Sequence, residues 1–187
     1  MQTEVLSVHK EKIKDILASR PNQALGILDL DVEFYKEEKK ESEKFYLFDF
    51  NGPFQNLSSR YGLEEALTKF IQEPRRIRFG YRDYIMPLVS KYAELKKGGY
   101  KFDGVWMWED IAYNDGLYFS LEKYHSQLFY IHKDICDFFK SERLPLFFHC
   151  DGRVEKLIPF LIDAGVKAVH PMQESCNGDI LKLKKQF

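Results

Sequence analysis

Leu144-Pro-Leu-Phe-Phe-His149-Cys-Asp-Gly152 decides how this chain is read. Five residues of mostly buried type deliver a His, a Cys and an Asp, and a Gly then lets the backbone turn. A helical stretch from Val154 to Ala164 follows, with a bend expected at Pro159 and a cap at Gly165, and then a second apolar run, Val166 to Pro171. Phe102-Asp-Gly-Val-Trp-Met-Trp-Glu109-Asp110 has the same form: a strand ending in carboxylates, a loop over Asp110 to Phe119, and a long amphipathic helix from Leu121 to Lys140 with Ser120 as its N-cap. Polar residues at the C-terminal ends of strands in a repeating β-α series predict an α/β fold of the (β/α)8 TIM-barrel kind.

Working outward, Glu4 to Ser19 reads as a helix stopped at Arg20-Pro21, Ala24 to Leu30 as a strand, and Glu33 to Lys44 as a solvated helix. Phe45 to Phe50 reads as a strand ended by Asn51-Gly52-Pro53. Short helices follow at Phe54 to Tyr61 and Leu63 to Ile71, separated by Gly62; Pro74 opens a long helix that Gly98-Gly99 closes. A strand at Val166 and a last helix after Asn177 finish the chain. The strands read as apolar on both faces, as in a parallel sheet covered by helices. No linker or repeat divides the chain, so residues 1–187 read as one domain. About five parallel strands in 187 residues fall short of the roughly 250 residues of a complete barrel, so the barrel is expected to be incomplete.

Composition narrows the function classes. Hydrophobic residues at 44% and charged residues at 30% fit a folded globular chain. A net charge of -1 gives no long-range attraction to nucleic acid or to anionic lipid, and no stretch is apolar enough to span a bilayer. Neither nucleic acid nor membrane is expected as a partner. The opening Met1-Gln-Thr-Glu-Val lacks the pattern of a secretory leader, and three cysteines (Cys136, Cys150, Cys176) without paired spacing suit a reducing cytoplasm.

Six short motifs, in this order and spacing, resemble the uroporphyrinogen decarboxylase superfamily: Asn51-Gly-Pro-Phe54, Trp108-Glu-Asp-Ile-Ala112, Tyr118-Phe-Ser120, Phe148-His-Cys-Asp-Gly152, Asp163-Ala-Gly-Val-Lys-Ala-Val-His-Pro171 and Gly178-Asp-Ile-Leu-Lys-Leu-Lys184. They cover the chain from about Phe45 onward. The resemblance implies a (β/α)8 barrel, of which this chain is a central fragment. The His-x-Asp-Gly pattern is closer to the branch that moves methyl groups from a corrinoid protein to a thiol or folate than to the haem-pathway decarboxylase. That branch implies zinc and a corrinoid-protein partner; the decarboxylase, the alternative, implies no cofactor. In the methyltransferase branch the motif is often His-x-Cys-Gly, with His and Cys on zinc. Here Cys150 stands one place early and Asp151 takes the expected position. Alternation along a strand puts His149 and Asp151 on one face and Cys150 on the other, so Asp151 is the better partner and Cys150 the alternative ligand.

A His and an Asp at a strand end can give one Zn2+ two ligands, with Glu109 as the available third. A substrate-pocket role without metal, and a capping role for Asp151, stand beside that reading. Glu109 and Asp110 read as catalytic because buried carboxylates ending an apolar strand are costly unless they serve a purpose. Asp49, Asn51, Trp108, Tyr113, His170 and Gln173 are the expected substrate-pocket residues, with Trp106 and Trp108 on one face as packing residues. His9, His125 and His132 fall on helices and are assigned to ordinary surface or interface positions; Cys176 is assigned no role. A rival reading of another class is an inactive barrel fragment that persists by pairing with itself or with a complementary barrel subunit through open strand edges.

Overall fold

The computed structural model describes residues 45–187; within the helix that begins at Pro74, the side chains of residue 76 and residues 78–83 are not described. The expected helices at 4–19 and 33–44 and the expected strand at 24–30 lie outside the described residues.

Four parallel strands form the sheet: β1 (Leu47–Asn51), β2 (Gly104–Trp108), β5 (Leu146–His149) and β6 (Ala168–His170), in the order β1-β2-β5-β6. Each runs into helix before the next strand begins, which is the β-α series expected. β1 is followed by α1 (Pro53–Tyr61), α2 (Leu63–Gln72) and α3 (Pro74–Lys97). Prolines open α1 and α3, where a missing N–H costs nothing. The region expected as a loop after Asp110 instead holds a small antiparallel hairpin, β3 (Ala112–Tyr113) with β4 (Gly116–Leu117). Ser120 then caps α4 (Leu121–Tyr124), its hydroxyl accepting from Lys123 N at 3.2 Å. A π-helical turn over His125–Phe129 separates α4 from α5 (Tyr130–Ser141), where one continuous helix was expected. After β5, a 3-10 turn at Glu155–Leu157 leads into α6 (Ile158–Ala164), so Pro159 sits in the first turn of an α-helix and bends nothing. α7 (Glu174–Asn177) and α8 (Ile180–Gln186) follow β6. The architecture is a mixed α/β fold with a parallel four-stranded sheet and surrounding helices, compatible with part of an α/β barrel.

Register sets the two faces. Asn51, Trp108, His149 and His170 pair as one row across the C-terminal ends of the strands. Asp49, Trp106, Phe147 and Ala168 form the row below on the same face. Phe48, Phe50, Val105, Met107, Leu146 and Phe148 point the other way and are all buried. There they meet the helices. The Phe48 ring lies 5.5 Å from Tyr92 of α3 and 5.8 Å from Phe139 of α5, and Phe148 lies 5.6 Å from His132 of α5. Among the described residues only one face is covered by helices, not both as expected: on the other, Asp49, Ala168 and His170 are exposed, and Trp106 and Trp108 only half-buried. The strand sequences look two-sided because Trp and Phe occupy an open face, where their large rings still shelter one another.

Glu109 continues β2 by one residue onto the helix-covered side and is fully buried. Its carboxylate accepts from Phe54 N at 3.1 Å, from Gln55 N at 2.9 Å and from His132 Nε2 at 2.9 Å. His132, fully buried, is bonded through its Nδ1 to the Tyr124 hydroxyl at 3.0 Å. The chain is satisfied when Tyr124 O–H donates to Nδ1 and Nε2–H donates to Glu109. Burial and the nearby Glu109 carboxylate push the Tyr124 hydroxyl far above the ordinary tyrosine range, so it stays a donor. Gly52 is where α1 comes close: a Cβ there would stand 2.3 Å from Glu109 Oε2.

This network ties β2 to the start of α1, to α4 and to α5. Removing one member strands a buried polar group. His132→Ala is therefore expected to lower the unfolding free energy by about 1–3 kcal/mol or somewhat more, the usual cost of leaving a buried hydrogen-bonding group, here a carboxylate, short of its partner. Urea denaturation followed by circular dichroism measures this.

Candidate metal centre

The site lies at the C-terminal ends of β2 and β5, on the side of the sheet away from Glu109. Asp110, one residue further along than Glu109, turns back to the open side. Asp110, His149 and Asp151 each offer one ligand atom, and these atoms all lie within 4.8 Å of one another. His149 Nε2 is 3.8 Å from Asp110 Oδ1 and 4.0 Å from Asp151 Oδ2. Asp110 is held in place by its own acceptor role, since Asp151 N donates to its Oδ1 at 3.0 Å, while Asp110 N donates to Gln55 Oε1 at 3.3 Å.

His149 is gripped by aromatic rings. Its ring lies 4.4 Å from Trp108, 5.9 Å from Trp106 and 5.2 Å from His170, the last stacked at 30°. Its Nδ1 stands 3.0 Å from His170 Nδ1. Burial holds the His149 imidazole below its ordinary pKa and outweighs the opposing pull of Asp110 and Asp151, with His170 adding to the depression. A neutral imidazole at neutral pH is the form a metal ligand needs.

The donor set is one imidazole nitrogen and two carboxylate oxygens. Zinc binds such atoms at about 2.0–2.2 Å, which places ligands of a tetrahedral ion roughly 3.4 Å apart. The separations of 3.8 and 4.0 Å from His149 need only a few tenths of an ångström of contraction to reach that. The residues present therefore fit a divalent ion, with one further tetrahedral position left for another ligand.

Two of the expected ligands are corrected. Glu109 belongs to the buried network on the helix side, where His132 and two amides occupy it, and Asp110 takes the third place. Cys150 is fully buried and turned from the site, its sulfur accepting from Ile111 N at 3.4 Å. Burial pushes its thiol up to about 12, far from thiolate at neutral pH.

The expected pocket residues divide. Trp108 and His170 flank His149 directly. Asp49 stands one row down and accepts from Trp108 Nε1 at 3.4 Å. Asn51 ends β1 beside Trp108, its carbonyl accepting from the Tyr84 hydroxyl. Gln173 is tied to the backbone, Oε1 accepting from Gly152 N at 2.7 Å. Tyr113 sits on the hairpin, half its surface exposed, stacked on Tyr118 at 5.7 Å. Its carbonyl accepts from Arg153 N at 2.8 Å and would lie 2.5 Å from a Cβ on Gly152. With φ at +87°, Gly152 is needed for both conformation and clearance.

Sequence reasoning missed two residues. His132 was assigned to a surface and is buried in the Glu109 network. Asn177 is buried and fastens the loop after β5: its Oδ1 accepts from Val154 N at 2.9 Å and Glu155 N at 3.2 Å, and its Nδ2 donates to Gly152 O at 2.9 Å and Gln173 O at 3.1 Å. An Asn just before Gly178 reads as a turn; only its partners at Gly152, Val154 and Glu155, over twenty residues away, reveal the clamp.

The cysteines give a direct check on this arrangement. Cys136 and Cys150 are buried, both with thiols pushed to about 12, whereas Cys176 is half-buried. A thiol reagent at pH 8 is expected to modify one cysteine per folded chain, Cys176, and all three in denaturant; rapid labelling of Cys150 in the folded protein contradicts the placement. The chain matches no protein-family model, no curated protein and no solved structure.

Proposed function

We propose that this chain is part of a uroporphyrinogen decarboxylase-type (β/α)8 barrel, of the branch that transfers methyl groups from a corrinoid protein to a thiol or folate acceptor, with Asp110, His149 and Asp151 seating a divalent ion such as zinc. The observation that carries the reading is the convergence of those three side chains at the C-terminal ends of two adjacent parallel strands. That is the rim where barrel enzymes of every chemistry place their reactive groups. The family reading rests on the resemblance of the ordered motifs from Asn51 to Lys184.

The bound ion would hold an acceptor thiol as thiolate, a better nucleophile toward a methyl group. Each residue has a part in this. His149 supplies a neutral nitrogen and Asp110 a carboxylate already fixed by the Asp151 amide. Asp151, the most exposed of the three, faces the side from which an acceptor arrives. Trp106, Trp108 and Phe147 form an aromatic floor beneath the site. The open sheet face beside them is the surface against which a corrinoid protein, a second copy or a complementary barrel subunit would close. Among the described residues no helix is long and apolar enough to cross a membrane.

The decarboxylase alternative needs no metal, so metal content separates the two. Protein loaded with zinc and dialysed is expected to retain about one ion per chain by mass spectrometry. His149→Ala and Asp151→Asn should each weaken zinc binding about tenfold or more, since even outer residues of metal sites contribute that much. Zinc-loaded protein mixed with methylcobalamin and a thiol should consume the methylcobalamin spectrum. A chain that retains no zinc, or that decarboxylates uroporphyrinogen metal-free, overturns the proposal.

A further inference from the structure

The ring nitrogen of His149 that faces away from the carboxylates has a single polar neighbour within hydrogen-bond distance among the described residues: Nδ1 of His170, at 3.0 Å. We propose that His170 is a positioning residue, which accepts the Nδ1–H of His149 and so turns the Nε2 lone pair toward Asp110 and Asp151 for a divalent cation. This rests on the metal reading above and goes beyond it, since it assigns the outer residue that sets the form of the ligand.

Two nitrogens 3.0 Å apart share one proton. If it sits on His170, the neutral His149 carries its own proton on Nε2, the atom facing the carboxylates, and no lone pair is left for a cation. If it sits on His149, Nε2 is free, and His170 carries its own proton on Nε2. Only the second arrangement ligates. Metal-bound histidines are commonly fixed in this way by an acceptor on the other ring nitrogen, and losing that acceptor typically costs 10–100-fold in affinity.

The surroundings hold the pair in register. β5 and β6 are adjacent and parallel, and His149 pairs directly with His170. The rings stack at 5.2 Å and 30°, and Trp106 packs 4.9 Å from His170 and 5.9 Å from His149. His170 is exposed, so water is at hand for the ring nitrogen that His149 does not use. On the other side of His149, the carboxylates at 3.8 and 4.0 Å stand beyond hydrogen-bond reach, about half an ångström wider than an intervening ion requires.

Zinc is the probe, with affinity read by competition against a chromophoric chelator. His170→Ala is expected to weaken zinc binding 10–100-fold. His170→Asn puts an amide oxygen near the position of Nδ1 and is expected to restore binding to within a few-fold of the original chain. In zinc-loaded protein, long-range nitrogen–proton NMR of the histidines should show the His149 proton on Nδ1 and the His170 proton on Nε2. Equal zinc affinity in the original and His170→Ala chains, or a proton on Nδ1 of His170, overturns the inference while leaving the metal site standing. Failure of the original chain to bind zinc overturns the metal reading itself. If His170→Ala does not fold, the Asn variant and the spectrum of the original chain decide.

Discussion

A carboxylate sealed inside the protein holds this structure together. Glu109 is fully buried, and its charge is tolerable only because two amides at the start of α1 and the His132 imidazole point at it. The donors come from two different parts of the fold. The amides belong to the first helix after β1, and the imidazole to the helix that crosses behind β5. One side chain at the end of β2 thus fixes the helix layer against the sheet. Gly52 and Tyr124 complete the fit, the first by having no side chain and the second by closing the far nitrogen of His132.

The same peptide step that buries Glu109 exposes Asp110. Alternation at a strand end sends neighbours to opposite faces, so consecutive acids divide the labour: one anchors helices, the next faces the open side. β5 repeats the division with His149 and Cys150. Cys150 joins the buried side and becomes an inert thiol, while His149 stands with Trp108 and His170 in a row across the sheet. The site is therefore made of residues that the anchor leaves over, and its rigidity is inherited from the buried network one residue away.

Much of the fold was legible because its signals are local. Gly62 between two amphipathic segments, Pro74 at a helix start and Ser120 before Leu121 are punctuation that tertiary contacts did not override. The pairing of His149 with Asp151, and the turning away of Cys150, followed from pleating alone. Choosing between Glu109 and Asp110 did not, because one residue of uncertainty in where β2 ends reverses the faces. His132 was unreadable for a related reason. A polar residue on a helix looks solvent-facing until its buried partner, 23 positions earlier, is known. The open sheet face was misread because Trp106, Trp108 and Phe147 have the composition of a covered one. The hairpin after Asp110 is two residues per strand, too short to leave a period.

The division between Glu109 and Asp110 is the claim on which both fold and site depend, and one paired experiment tests it. Glu109→Gln and Asp110→Asn should be compared for stability in urea and for zinc affinity. The account predicts that Glu109→Gln loses stability by several kcal/mol, and that Asp110→Asn folds nearly as well as the original chain but binds zinc about tenfold more weakly or worse. The reverse pattern, a stable Glu109→Gln that has lost zinc beside an Asp110→Asn that still binds it, would contradict the account.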